Sequence, residues 1–191
     1  MVLLIDNYDS FSYNVVSLIG ALTRGDIEVR RNDEITIEEI ENMKPTHIVL
    51  SPGPGKPKNA GICQEVIKVF KGQIPILGIC LGHQCICEVF GATVTYAKHL
   101  MHGKQSLIEI NNDKIFENLE NPIKGARYHS LAAKNDSIPE ELEVIARSMD
   151  DDEIMAVKHR KYDIYGLQFH PESILTPEGD IIVNNFLNIR R

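Results

Sequence analysis

The sequence predicts an α/β fold in which a mostly parallel central sheet carries helices on both faces and an antiparallel extension. Strand-like and helical patterns alternate through the first half, as they do in parallel sheets with right-handed crossovers. Residues 2–5 are all apolar, which is typical of a central strand covered on both faces. In the second half, strand-like runs at residues 142–147, 154–159 and 164–168 follow one another without long helices, which favours antiparallel pairing.

The early elements follow from periodicity and capping. Apolar residues at helical spacing over residues 15–22 predict a helix that ends near Gly25, and residues 27–31 have the pattern of a second strand. Thr36 and Glu39 have the spacing of a capping box, which opens a short second helix.

The later elements continue the same alternation. Residues 47–50 predict a third strand, and residues 61–70 predict a crossover helix that leads to the next strand. Residues 92–96 and 105–110 predict strands with β-branched side chains, and apolar spacing over residues 181–189 predicts a closing helix.

Composition limits the class of protein. The length suits one domain, which we expect to span residues 1–191. With 43% hydrophobic and 25% charged residues, and no apolar run near the ~18 residues of a membrane helix, no membrane association is expected. The net charge of −7 argues against nucleic-acid binding, which depends on clustered Lys and Arg. The chain starts directly into a strand without the features of a signal peptide, so a cytoplasmic location is expected.

A short apolar run breaks at Gly78, reaches Cys80 and continues past Gly82 into a helical pattern. This spacing matches a nucleophile elbow, in which flanking glycines allow a tight strand-to-helix turn and keep side chains away from the nucleophile. A thiol at a helix N-terminus faces unpaired N–H groups and the positive end of the helix dipole, which favour a negatively charged sulfur. The alternative is a buried cysteine before an ordinary helix.

A candidate base lies near the other end of the chain, where a strand-like run ends in His170, Pro171 and Glu172. Pro171 biases the residue before it towards an extended backbone. Residues two apart in extended chain point to the same side, so Glu172 can reach one imidazole nitrogen while the other faces a thiol. Alone, this segment could be a surface strand end. Together with Cys80 it supplies the parts of a Cys-His-Glu triad.

The remaining cysteines and acidic residues suggest no metal site. Cys85 and Cys87 diverge within one helix and no second ligand pair follows, so we expect them and Cys63 to be reduced core thiols. The acidic run at residues 150–153 lacks the glycine and ligand spacing of a calcium loop, and we expect a solvated turn.

The motifs resemble those of class I glutamine amidotransferases, in particular the glutaminase subunits of anthranilate synthase and aminodeoxychorismate synthase. The resemblance covers nearly the whole chain, in the expected order. The segments that carry it are residues 6–11, 51–55, 78–84, 102–104, 127–131 and 168–173.

The resemblance implies that Cys80 attacks the side-chain amide of glutamine, that His170 transfers protons, and that Glu172 orients His170. It implies no cofactor and no metal. Gly53 and Leu81 would donate N–H groups to the oxyanion, Gly55 would line the glutamine pocket, and Gln84, Ser130 and Leu131 would bind the amino-acid end of glutamine. The full set placed around glutamine is Gly53, Pro54, Gly55, Leu81, Gln84, Ser130 and Leu131.

The resemblance also implies a partner, a chorismate-binding synthase subunit that receives ammonia. Residues 51–57 and 174–179 favour the anthranilate synthase large subunit, component I, and tryptophan biosynthesis. The alternative partner is component I of aminodeoxychorismate synthase. Two other hypotheses remain, a stand-alone cysteine hydrolase such as a γ-glutamyl hydrolase, and a noncatalytic binding protein on this fold.

Overall fold

A computed structural model describes residues 1–189. Its helices are α1 (Ser12–Thr23), α2 (Ile37–Met43), α3 (Cys63–Phe70), α4 (Leu81–Val89) and α5 (Gly179–Leu187). Its strands are β1 (Val2–Asp6), β2 (Ile27–Arg31), β3 (His47–Leu50), β4 (Ile76–Ile79), β5 (Val94–Tyr96), β6 (Lys104–Ile110), β7 (Ile123–Arg127), β8 (Leu131–Ala133), β9 (Leu142–Ser148), β10 (Ile154–His159) and β11 (Ile164–Leu167).

Nine of these strands form one mixed sheet in the order β2-β1-β3-β4-β11-β10-β9-β6-β7. The first five strands of this order, β2-β1-β3-β4-β11, pair with one another in parallel. The pairings of β11 with β10, β10 with β9, β9 with β6 and β6 with β7 are antiparallel. The predicted fold class, a parallel core with an antiparallel extension, is therefore confirmed. β5 and β8 form a separate two-stranded antiparallel sheet.

Helices cover both faces of the large sheet, as predicted, and each face has its own apolar core. On one face, α1 and α5 pack through Val15, Ile19 and Phe186. On the other face, α2, α3 and α4 pack through a second cluster that includes Ile40 and Ile67. Because the inner parallel strands β1, β3 and β4 are covered on both sides, their side chains are mostly apolar on both sides too.

The main differences from the sequence prediction concern β7 and β8, which the sequence analysis did not identify. β7 contains Gly125 and the fully buried Arg127, and β8 has only three residues, so neither shows an alternating apolar pattern. The closing helix also begins two residues earlier than predicted, at Gly179, and ends at Leu187. Among residues 1–189, no helix is both long and apolar enough to cross a membrane.

Candidate active site

The two segments singled out by their motifs meet at one edge of the large sheet. β4 and β11 are parallel neighbours, so Cys80, which follows β4, lies beside the segment that follows β11. The backbone N–H of Cys80 donates to the carbonyl of Leu167 at 2.7 Å. Ligands of open α/β sheets bind outside the carboxyl ends of the strands, and this is such an edge.

Cys80 has the backbone geometry of a nucleophile elbow. Its φ of 51° and ψ of −100° lie in a region that side-chain-bearing residues seldom adopt, and α4 begins at the next residue. A Cβ on Gly78 would overlap the backbone of Gly82, and a Cβ on Gly82 would lie 2.5 Å from the Leu50 carbonyl oxygen. Both glycines are therefore required by close approach, as the motif predicts.

His170 and Glu172 form a buried pair. Nδ1 of His170 lies 2.6 Å from Oε1 of Glu172, and the two side chains are 2% and 0% exposed. The backbone N–H of His170 donates to the carbonyl of Ala126 in β7, which fixes the segment against the antiparallel half of the sheet. Because Nδ1 faces the carboxylate, Nε2 is the nitrogen left for another partner.

The sulfur of Cys80 acts electrostatically on that ring. Burial alone would lower the pKa of His170, but the sulfur of Cys80 and the carboxylate of Glu172 outweigh it and raise the pKa from 6.5 to about 10. Nε2 of His170 is buried and makes no hydrogen bond of good geometry. The imidazole is thus protonated at neutral pH, with its free N–H close to the sulfur.

Two aromatic rings enclose the base. The ring of Tyr128 packs edge-on against His170 at a centroid distance of 5.0 Å, and that of Phe11 does so at 5.7 Å. The two aromatic rings also contact each other at 4.8 Å. This packing excludes water from one side of the imidazole, which strengthens its interaction with Glu172.

The glycine-rich segment after β3 lies beside the nucleophile. A Cβ on Gly53 would lie 2.8 Å from a methyl carbon of Leu81 and 2.5 Å from the Cβ of Asn7. Pro54 and Gly55 line, with Leu81, a cleft of about 410 Å³. The structure therefore brings the candidate oxyanion donors Gly53 and Leu81 together.

A buried asparagine that the sequence analysis did not single out holds this segment. The backbone N–H of Asn7 donates to Oγ of Ser51 at 2.8 Å, and its side-chain amide donates to the carbonyl of Ser51 at 2.8 Å. Its Oδ1 accepts from the amide of Asn32 at 2.9 Å. These bonds fix the backbone that leads directly to Gly53.

The candidate residues for the amino-acid end of glutamine are also near one another. Nε2 of Gln84, one turn into α4, donates to the carbonyl of Leu131 at 3.0 Å. Gln84 is 3% exposed and Leu131 is 8% exposed, whereas Ser130 is exposed to solvent. Gln84 is thus hydrogen-bonded to the segment that contains Ser130 and Leu131, the other candidate residues for this end of glutamine.

The acidic run at residues 150–153 forms a turn, as predicted, but only Asp150 and Asp152 are exposed to solvent. Asp151 forms a two-point ion pair with Arg127, with nitrogen to oxygen distances of 3.1 and 2.9 Å, and their side chains are 3% and 0% exposed. Glu153 is also buried, and its Oε1 accepts the backbone N–H of Lys98. The prediction that the whole run is solvated was wrong, because the buried guanidinium in β7 is a partner that no local pattern reveals.

Gln168 is a further site residue that the sequence analysis named only as part of a motif. Its side chain is fully buried, and Nε2 lies 3.6 Å from the sulfur of Cys80. The alternation of the β11 segment could have suggested this position, because Gln168 lies two residues before His170 and so points to the same side.

The other three cysteines are buried and reduced. Burial raises the pKa of Cys63 and of Cys87 to about 12, and it raises the pKa of Cys85 as well. The prediction of reduced core thiols is confirmed for these residues. Within residues 1–189, no group of three or more His, Cys, Asp or Glu side chains is arranged to hold a metal ion.

Comparisons with known proteins identify the family and the fold. The family model described as glutamine amidotransferase class-I matches residues 3–189. Over 191 residues the chain is 50% identical to the aminodeoxychorismate/anthranilate synthase component 2 of Bacillus subtilis, covering 100% of this chain and 97% of that protein. It is 54% identical over 190 residues to the bifunctional protein TrpGD of Thermotoga maritima, covering 99% of this chain but only 32% of that protein.

A solved structure from Thermoplasma acidophilum has the same fold. It is described as part of a GMP synthase, and it superposes with a TM-score of 0.83 at 27% sequence identity. The superposition covers 97% of this chain and 91% of that chain.

Proposed function

The chain belongs to the class-I glutamine amidotransferase family, and on that premise we propose that it hydrolyses glutamine to glutamate and delivers the ammonia to a synthase subunit. The observation that carries the proposal is the meeting of Cys80, His170 and Glu172 at the carboxyl edge of the parallel strands. This arrangement matches a nucleophile, a base and a group that orients the base.

In the proposed first step, His170 takes the proton of the Cys80 thiol, and Sγ attacks the carbonyl carbon of the glutamine side-chain amide while the carbonyl oxygen becomes an oxyanion. The tetrahedral intermediate collapses as His170 gives a proton to the leaving nitrogen, so ammonia departs and a thioester to Cys80 remains. The raised pKa of His170 supports this role, because the imidazolium holds the required proton at neutral pH.

In the second step, a water molecule loses a proton to His170 and attacks the thioester carbon. The carbon–sulfur bond breaks, glutamate leaves and the thiol is restored. Glu172 holds the imidazole by Nδ1 throughout and stabilises its charged form. The same base therefore acts in both halves of the reaction.

The N–H groups of Gly53 and Leu81 would bind the oxyanion in both steps. Their closeness supports this, and Leu81 is the first residue of α4, where backbone N–H groups have no partner inside the helix. Each such donor contributes about 3 kcal/mol to stabilising the transition state. Gln84 and Leu131 would hold the amino-acid end of glutamine, with Pro54, Gly55 and Ser130 around it.

The proposed partner is a chorismate-binding component I, most simply that of anthranilate synthase, as the motifs at residues 51–57 and 174–179 favour. The name of the Bacillus subtilis relative joins aminodeoxychorismate and anthranilate synthase, which supports the same glutaminase serving both enzymes. We therefore retain aminodeoxychorismate synthase as the alternative partner.

The test mixes the purified chain with each component I and measures glutamine-dependent and ammonia-dependent product. Cys80→Ser should abolish the glutamine-dependent reaction and leave the ammonia-dependent one intact, because a hydroxyl is a far weaker nucleophile. Gln64→Met, in α3 and outside the proposed site, is the matched control and should retain both reactions. Product formation from glutamine by Cys80→Ser at more than a few per cent of wild type would overturn the triad. Glutamine hydrolysis without any rise in synthase product would favour a stand-alone hydrolase.

A further inference from the structure

The side-chain amide of Gln168 contacts the sulfur of Cys80, the proposed nucleophile. The surroundings of this amide determine whether its nitrogen or its oxygen makes the contact. Nε2 is 3.6 Å from Sγ of Cys80, within the range of an N–H to sulfur hydrogen bond. We propose that Gln168 is a further catalytic residue, whose N–H donates to the Cys80 sulfur and stabilises its charged form. This inference rests on the proposed function.

The orientation of the Gln168 amide follows from its other contact. Its Oε1 lies 3.2 Å from Nε2 of Gln84, and that same nitrogen donates to the carbonyl of Leu131 at 3.0 Å. A carbonyl can only accept, so the Gln84 nitrogen is a donor. Its second N–H then requires an acceptor in Gln168. Oε1 of Gln168 accepts this hydrogen bond from Gln84, and Nε2 of Gln168 therefore faces the sulfur of Cys80.

A buried chain of hydrogen bonds supports this arrangement. The carbonyl of Leu131 also lies 3.0 Å from Nδ1 of His129, whose Nε2 accepts from Nε of Arg127 at 3.1 Å. Burial lowers the pKa of His129 to about 4, and the guanidinium of Arg127 adds to that effect. The imidazole of His129 is therefore neutral, with its proton on Nδ1 and directed to Leu131.

The far end of this chain is anchored by charge. Arg127 is held by Asp151 in the buried two-point ion pair, so its Nε cannot rotate away from His129. The sequence of bonds thus runs from the ion pair through His129, Leu131 and the two glutamine amides to the sulfur. Because these bonds fix the orientation of both glutamine amides, the Gln168 N–H is pre-organised for the Cys80 sulfur.

Two donors then flank the sulfur. His170 gives its proton away when ammonia leaves, so it supports the thiolate only in part of the cycle. Gln168 carries no titratable proton and keeps its N–H throughout. It should therefore favour the charged form of the sulfur without changing which group supplies the proton to ammonia.

The test measures the rate at which iodoacetamide alkylates Cys80 as a function of pH, followed by peptide mapping. In Gln168→Met the N–H is replaced by an apolar group of similar length, and the pH midpoint should move up by about one unit, since a hydrogen bond to a charged group is worth at least that much. Gln64→Met removes a glutamine amide that binds Glu88 instead and should leave the midpoint unchanged. An unchanged midpoint in a folded Gln168→Met protein would overturn the proposal.

A second measurement needs no substitution at the buried position. The side-chain amide signal of Gln168 in a ¹H–¹⁵N spectrum of the wild-type protein should titrate with the midpoint of Cys80 alkylation, and it should lose this titration in Cys80→Ala. A signal that is indifferent to the state of Cys80 would contradict the proposed bond. Neither readout uses glutamine, so a protein that shows both effects but hydrolyses no glutamine would refute the proposed function and leave only the hydrogen bond from Gln168 to the Cys80 sulfur established.

Discussion

At the scale of single residues, Cys80 has a strained backbone conformation that is possible only because Gly78 and Gly82 have no side chains. The backbone of Gly78 packs against that of Gly82, and Gly82 packs against the carbonyl of Leu50. A conformation of this kind costs about 1–3 kcal/mol and persists only where the surroundings enforce it. It places the sulfur at the start of α4, where the helix dipole favours a negative charge.

Gly78→Ala tests this packing. The added methyl group would overlap backbone atoms, which cannot move as a flexible side chain can, so the free energy of unfolding should fall by about 2 kcal/mol or more. Gly20→Ala in α1 is the control, because its Cβ meets only a methyl carbon of Ile27 at 4.0 Å. Urea denaturation should show the control unchanged or slightly more stable. Equal losses in the two variants would mean that the elbow does not require a glycine.

The charge state of His170 gives a prediction about pH. Its folded pKa is raised from 6.5 to about 10, so its contribution to stability is complete below pH 6.5 and is lost as the pH rises through about 10. Removing the carboxylate in Glu172→Gln should lower the NMR titration midpoint of the His170 ring, and the stability of this variant should fall less than that of wild type between these pH values. A wild-type midpoint near 6.5 would show that the imidazole is not paired with charge.

At the scale of secondary-structure elements, the site is built by pairing strands that are distant in sequence. β4 brings Cys80 to the carboxyl edge, and β11 brings Gln168 and His170 to the same edge. β7 then supplies Arg127, and the turn between β9 and β10 supplies Asp151. The antiparallel half of the sheet therefore supports the site, although the candidate nucleophile belongs to the parallel half.

Arg127→Met should show how much the antiparallel half depends on its buried ion pair. Leaving Asp151 without its partner in the interior should lower the free energy of unfolding by about 3–5 kcal/mol. Lys134 and Asp136 form an exposed pair at 3.1 Å, so Lys134→Met is the matched control and should change stability by less than about 1 kcal/mol. A loss in Arg127→Met no larger than that of the control would contradict a structural role for the pair.

At the scale of the whole molecule, local patterns predicted most of the fold because the parallel strands and their helices have clear apolar periodicity. The candidate triad was also predictable, since its residues lie in short motifs with fixed spacing. What local sequence could not predict was the network around it. Arg127, Asp151 and Asn7 are polar residues whose burial depends on partners far along the chain.

The same reasoning explains the contrast among the four cysteines. Cys63 belongs to α3, and Cys85 and Cys87 belong to α4. All three lie in the apolar core, where burial disfavours their thiolates. Cys80 is 7% exposed, at the end of a strand and beside a charged imidazole. Reactivity should therefore differ strongly between one thiol and the other three.

The central claim, that Cys80 is the nucleophile that attacks glutamine, is tested most directly by a glutamine-mimicking alkylating agent followed by peptide mapping. The account predicts that Cys80 is labelled well before the other three cysteines and that free glutamine slows this labelling. Labelling of Cys85 first, or labelling of Cys80 at a rate that saturating glutamine does not change, would contradict it.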